Sequence, residues 1–587
     1  RIEEMKHLGN QALAELEKDP NRIGVIIFSR PYNGLVDEAH MGIPAKFASR
    51  GVTVIPLDFL PFEREEAKRH MYWGMGEMIM KAARLVKRHP QLFGTFITNF
   101  SCGPDSFIIG YFRSIMGQKP SLTLELDSHT ADAGLDTRID AFLDIVAAYQ
   151  QLGTSQKKQA RQSKFTIAAT TLEKGIPTVV TSSGEKVPLT DPRVTLLVPS
   201  MGKLGSEAIA AVFRGTGVNA IAHPPSDESV LKTGRGNTSC KECLPLILTT
   251  GTLLNYIQHQ RQPNEVVVYL MATGTGPCRF GQYYIFIEDL IRRLEIPDVA
   301  IFALTSENSY LGLDKNLERK TWWAVVVSDI MEDIRAMLLT NALDTGKALY
   351  HFEIQWQAVF KALENRTFKH LEHQLKSTAR ALGDIPLKKP AREVPTISLT
   401  GEIFVRRDGL SRQYLTERLA QKGFAAVCTP VAEWVFYSEY LVDKGLIDQA
   451  MPFLDKIRFK IRKKVMASDE QHLRALLSKS GLVNSPPIDI PHIVENAKPY
   501  ISRDLTGEAV LTIGGSLSDI ATHACGVIAI GPFGCMPNRL SEAIMHETMC
   551  RAKKLATKPV DKRLEKVLSR VEDLPFLAVE SDGSPFP

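Results

Sequence analysis

The sequence predicts an α/β protein: several doubly wound parallel-sheet (Rossmann-like) domains, duplicated and joined by helical connectors. Three observations lead there. Short apolar runs of strand length alternate with longer helical stretches along most of the chain. At 587 residues the polypeptide is too long for a single core. Two spaced motifs from the amino-terminal part return in the same order near the carboxyl end.

The first module is expected over residues 1–152. Ile23 to Ser29, Val52 to Pro56, Thr95 to Asn99 and Leu122 to Leu126 are apolar runs suited to buried parallel strands. Gly76 to Arg88 and Asp105 to Met116 are helical stretches between them. Residues 153–192 read as a linker, because Ser155 to Lys164 is polar and basic with no apolar period. The second module is expected over 193–345, with strands at Val194 to Val198, Val266 to Leu270 and Val299 to Ala303. A helical connector follows over 346–390. The third module, 391–587, carries a helical insertion at about 436–481. It reads as a truncated repeat of the first: Phe100-Ser-Cys102-Gly-Pro104 matches Phe533-Gly-Cys535-Met-Pro537. Downstream, Pro120-x-Leu122-x-x-Glu125-x-Asp127 matches Pro575-x-Leu577-x-x-Glu580-x-Asp582.

Bulk composition narrows the function. A hydrophobic share of 44% and a charged share of 23% are ordinary for a soluble protein. A net charge of +5 over so long a chain gives no electrostatic case for nucleic acid. No apolar run is long enough to span a bilayer, and no signal peptide is visible. Eight cysteines in 587 residues are not a disulfide framework, so a reducing cytoplasm is expected. The start at Arg1 and the stop just after a strand-like segment suggest a piece of a longer polypeptide.

The cysteines carry the chemistry. Cys102, Cys243, Cys428 and Cys535 each have proline two residues on, where chance predicts on the order of half a match. Proline is tolerated in the first turn of a helix, so each sulfur should lie where a loop meets a helix N-terminus. The free N–H groups and dipole there favour a thiolate and its anionic ligands. Cys102 and Cys535 follow strands, at the carboxyl edge of a parallel sheet where α/β folds bind ligands. They read as cluster ligands or, alternatively, as small buried hydrophobes. Cys240 and Cys243 form a Cys-x-x-Cys, which alone also suits a redox dithiol or half a zinc site. The nearby Gly234 and Gly236 are expected in tight turns. Cys278 lies in a glycine-bearing loop, Thr273 to Tyr283, that suits a cluster ligand, a buried core position, or a phosphate-cradling loop in which the cysteine is a bystander. Cys428, Cys525 and Cys550 read as core or bystanders. His129, Glu125 and Asp127 are candidate polar groups at the sheet edge, the carboxylates being equally suited to anchoring loop N–H groups.

These residues together resemble a known family. Ser29-Arg-Pro-Tyr-Asn33, Asn99-Phe-Ser-Cys102-Gly-Pro-Asp-Ser-Phe107, Asp127-Ser-His129 to Arg138, Lys241-Glu-Cys-Leu-Pro245, Gly276-Pro-Cys-Arg-Phe-Gly-Gln-Tyr283 and Pro532-Phe-Gly-Cys-Met-Pro537 look like the large acyl-CoA dehydratase activase-related proteins. That group is similar to 2-hydroxyglutaryl-CoA dehydratase subunits and to double-cubane cluster proteins. The resemblance implies an oxygen-sensitive iron–sulfur cluster, 4Fe-4S or double-cubane, with each cubane held by three cysteines. It places Cys243, Cys278 and Cys535 in one set and Cys102 in a second; Cys240 departs from the pattern. It also implies a fragment lacking the ATPase domains, and an ATP-hydrolysing activase as partner, fused upstream or separate. In that scheme the chain accepts low-potential electrons and passes them to a small, possibly acyl-CoA, substrate, as part of an ATP-dependent reductase or 2-hydroxyacyl-CoA dehydratase-like system of anaerobic metabolism. Two alternatives stay open: a non-catalytic electron-relay or scaffold protein, and a metal-free CoA-ester or nucleotide-binding protein.

Overall fold

The computed structural model describes residues 1–100, 102–152, 165–173, 176–274, 276, 278–304, 315–365, 367–447, 453–483, 486–520, 522–555, 565–566 and 568–584. The chain forms two compact units. The first comprises Arg1–Lys164, Ser239–Glu242 and Thr275–Ile285; the second comprises Phe165–Thr238, Cys243–Gly274 and Phe286–Pro587.

The first unit is built on β1 (Gly24–Ser29), β2 (Thr53–Pro56), β3 (Leu92–Asn99) and β4 (Ser121–Leu126), all parallel in the order β2-β1-β3-β4. Every residue of β1 is buried. That is why it reads as an unbroken apolar run rather than an alternation: helices cover both faces of a parallel sheet. Helices Ile43–Ala48, Gly74–Arg88 and Asp105–Met116 lie in the three crossovers, and Asp132–Leu152 follows the last strand.

The second unit contains two such sheets and a smaller antiparallel one. β5 (Ala169–Glu173), β6 (Ile176–Val180) and β7 (Lys186–Pro188) pair antiparallel. They lie in the stretch expected as linker. Its Thr/Val content and the Gly184 turn, at φ +89°, give it hairpin chemistry of its own. β8 (Val194–Val198), β9 (Ala220–Ala222), β10 (Val266–Ala272) and β11 (Val299–Leu304) form a parallel sheet ordered β11-β10-β8-β9. β12 (Thr396–Gly401), β13 (Ala425–Cys428), β14 (Gly526–Pro532) and β15 (Phe576–Ser581) form another, ordered β13-β12-β14-β15.

All three parallel sheets therefore share one order: second, first, third, fourth strand. The repeated motifs fall on equivalent elements. Phe100 to Pro104 and Phe533 to Pro537 follow the third strand of their sheets. Glu125 and Glu580 lie on the fourth, opposite Thr98 and Gly531 respectively. The stretch between β13 and β14 includes helices Val431–Asp443, Phe453–Leu477, Ile490–Ala497 and Glu508–Asp519.

Candidate functional site

Three of the four singled-out cysteines are N-caps. Cys243 caps helix Leu244–His259, Cys535 caps helix Met536–Thr548, and Cys278 caps a 3-10 turn, Arg279–Gln282, that runs into helix Tyr283–Arg293. Cys102 lies two residues before Pro104, the N-cap of helix Asp105–Met116. In each Cys-x-Pro of Cys243 and Cys535 the proline occupies the first turn, where its missing N–H goes unmissed.

In the second unit the structure brings Cys243 and Cys535 together. Both are buried, at 6% and 7% exposure, and near enough for the charge of Cys243 to bear on Cys535. Cys535 follows β14. Glu402 follows the adjacent β12, and its N–H donates to the Ile530 carbonyl at 2.8 Å. Gly401 makes that approach possible. It holds φ +101°, and a Cβ there would meet the Ile530 oxygen at 2.1 Å. Glu402 accepts from the Phe404 and Val405 N–H groups at 3.1 and 2.8 Å, and Glu508 accepts from Ile403 N–H at 3.1 Å. Burial first, then the charges of Glu402, Cys243 and Glu508, push the Cys535 thiol well above its usual range, while the Asn538 N–H pulls it down.

In the first unit the Cys278 loop lies on the Cys102 loop. Arg279 is buried. It donates to Ser106 Oγ at 3.1 Å and to the Lys241 carbonyl at 3.4 Å, with its guanidinium against Gly103. Tyr72 donates its hydroxyl to the Cys278 carbonyl at 2.7 Å. Cys102 is half-buried, with the Tyr32 hydroxyl 3.2 Å from its sulfur. Burial and then the Asp105 charge push its thiol up to about 11; the Tyr32 hydrogen bond, the Asp105 N–H and Arg30 oppose them.

Two expectations are corrected here. The helix N-terminus does not by itself make thiolates of Cys102 and Cys535. Desolvation and nearby carboxylates outweigh it, because a charge removed from water loses more than a helix end returns. Gly234 and Gly236 are not in turns. They lie in helix Glu228–Asn237, and Gly234 and Gly251 let that helix approach Leu244–His259 so closely that a Cβ on either would sit 2.0 Å from a carbonyl oxygen of the other helix. Of the sheet-edge polar groups, Asp127 takes the anchoring role. It accepts from His129 N–H at 2.9 Å and Thr130 Oγ1 at 3.0 Å, and its carboxyl is held low, chiefly by the His129 N–H. Glu125 pairs with Lys241. His129 is exposed. Cys240 is exposed with φ +62°.

Residues 1–60 match a family model described as a CoA enzyme activase uncharacterised domain. No curated protein matches the chain, and neither does any solved structure. An activase-related domain fits an activase/dehydratase type of partnership. Among the described residues, no helix is long and apolar enough to cross a membrane.

As a donor set, Cys243 and Cys535 suit part of a thiolate site. Two buried cysteines, each the N-cap residue of a helix of more than ten residues, lie near each other, Cys535 just beyond the carboxyl end of β14. Among the described residues, no three His, Cys, Asp or Glu side chains gather closely enough to hold a metal ion on their own. Sequence reasoning assigned no role to Tyr32, Arg279, Glu402 or Glu508. Two of them share a signal of position: Tyr32 and Glu402 each lie within three residues of the end of the first strand of their sheet, on the edge where α/β ligands bind, whereas Arg279 and Glu508 do not.

Proposed function

We propose that this chain is an iron–sulfur protein of the kind found in 2-hydroxyacyl-CoA dehydratase systems. It accepts low-potential electrons from an ATP-hydrolysing activase and passes them to a small, possibly acyl-CoA, substrate. The observation that carries this reading is the pairing of Cys243 and Cys535, two helix-capping sulfurs from stretches nearly 300 residues apart in sequence. The activase-type match over residues 1–60 supports the same direction.

Cys243, Cys278 and Cys535 would hold one cluster, and Cys102 would contribute to a second. When bound, such a cluster supplies one-electron chemistry at low potential, and three cysteine ligands leave one iron for another ligand. The chain's own part is to bury the sulfurs, aim two helix N-termini at them and set carboxylates beside them. Tyr32 would fix the orientation of the Cys102 sulfur.

Iron and acid-labile sulfide analysis of anaerobically prepared protein tests this. Cys243→Ala, Cys278→Ala and Cys535→Ala should lose most of the iron, whereas Cys550→Ala should keep it. Equal iron in all four variants removes the ligand assignment. A colourless, iron-free wild type favours a metal-free CoA-ester or nucleotide-binding protein. Substrate turnover with an activase and a reductant separates an enzyme from an electron relay.

A further inference from the structure

The helix Phe453–Leu477, in the insertion between β13 and β14, has two faces of opposite character. Its inner face is fastened to the second unit. Trp322 Nε1 donates to the Met466 carbonyl at 3.0 Å, and Arg319 donates through two nitrogens to Asp469 at 2.7 Å each. Arg462 pairs with Glu318 at 3.1 Å, and Leu473 and Leu477 are fully buried. The helix is thus a fixed part of the core rather than a loose appendage.

The outer face carries two parallel rows. Ile457, Ile461 and Val465 are exposed by 42%, 59% and 37%. They recur every fourth residue, so they form one ridge about 12 Å long. Lys456, Lys460 and Lys464, one residue earlier in each turn, are also exposed and form a second ridge beside it. None of these lysines makes an ion pair among the described residues; the nearby Arg458 pairs with Asp455, Arg462 with Glu318 and Lys463 with Asp443. Like charges four residues apart repel along a helix, and exposed β-branched residues gain nothing from water. Neither row serves the isolated fold.

We infer that the outer face of helix Phe453–Leu477 is a docking surface for an acidic amphipathic helix of another protein. A ridge of residues four apart packs into the grooves of a facing helix, and lysines along its flank take partners from a glutamate row. Charge complementarity sets the sign of the partner. Its apolar part is short, β-branched and without aromatic residues, which suits a helix groove better than a membrane surface, where Trp, Phe and Leu are the usual anchors. This inference is independent of the cluster reading.

The test uses the full chain and two synthetic helical peptides, each with leucine at every fourth position, one flanked by glutamates and the other by lysines. The glutamate peptide should bind, more weakly by roughly tenfold as salt is raised to screening levels, and the lysine peptide should not. The triple variant Lys456→Glu/Lys460→Glu/Lys464→Glu should exchange these preferences. Ile461→Ser should weaken the glutamate peptide at least several-fold without changing the melting temperature. The inference is overturned if the two peptides bind alike, if neither binds, or if the charge reversal leaves binding unchanged. It is equally overturned if vesicles of phosphatidylserine and phosphatidylcholine take up the wild type in place of the peptide, or if this face proves to join two copies of the chain in gel filtration.

Discussion

Cys102 and Cys535 follow the third strand of sheets with the same strand order, yet their surroundings differ. Cys102 is half-buried and hydrogen-bonded to a tyrosine hydroxyl beside an Arg30–Asp105 ion pair. Cys535 is buried among acids: Glu402, Glu508 and a second cysteine. The shared strand order fixes where a sulfur is placed. The segment after the first strand contributes one neighbour in each sheet, Tyr32 or Glu402, while Asp105, Glu508 and Cys243 come from other elements. One backbone plan thus yields two different electrostatic settings.

The largest expected effect separates the helices that follow the cysteines. In Leu244–His259, a Cβ at Gly251 would meet the Val230 carbonyl oxygen at 2.0 Å, and backbone cannot swing away. Gly251→Val should cost about 3 kcal/mol in urea unfolding. In Asp105–Met116, Gly110 is exposed with nothing within 4 Å, so Gly110→Ala should add roughly 0.5–1 kcal/mol by helix propensity.

A second contrast is in pH. In the second unit, burial raises Asp333 to about 7 and Glu433 to about 8. Each keeps its proton in the folded chain where the unfolded chain has released it. Their stabilisation is complete below about pH 4 and is lost as pH rises through 7 to 8. His223, held below 6.5 by burial, works the other way. In the first unit, hydrogen bonds hold Asp127, Asp136 and Asp140 low, so their contribution is present above about pH 4 and is lost in acid. Peptide-resolved hydrogen exchange should therefore show the second unit loosening from pH 5 to 8 while the first does not. Equal loosening of both would remove the contrast.

The smallest effects bear on the sulfurs themselves. Tyr32→Phe should raise the Cys102 thiol pKa further, because a hydrogen bond to the thiolate is lost. Glu402→Gln should lower that of Cys535, because a nearby negative charge is removed. Alkylation rates against pH, mapped by mass spectrometry on metal-free protein, check both directions. Shifts of the same sign at the two cysteines would contradict the difference in their neighbours.

Much of the scaffold was legible because parallel strands buried on both faces leave long apolar runs. Val194 to Val198 matches β8 residue for residue, and Asp105 to Met116 matches its helix. β9, at three residues, is too short to show a period. The antiparallel strands β5 to β7 were hidden next to a polar stretch. Cys-x-Pro made the helix-cap positions of Cys243 and Cys535 legible, since proline in the first turn is a local constraint; after Cys102 and Cys428 the proline itself is the N-cap, and Cys278 caps its turn without the motif. The thiol environments were not legible, because Glu402 and Glu508 reach Cys535 from more than 25 residues away in sequence. Gly234 and Gly236 misled for a related reason: a glycine that admits a neighbouring helix looks the same, in sequence, as one that turns the chain.

The first unit draws on three separate stretches, the last ending at Ile285. On a ribosome it therefore stays incomplete long after its own sheet has emerged. At about 5–20 residues per second, the wait from Lys164 to Ile285 is on the order of ten seconds. During that interval the Cys102 loop lacks Arg279, its buried anchor, and a nascent-chain chaperone has a defined window in which to act. A gene cut after Lys164 would leave that window permanently open.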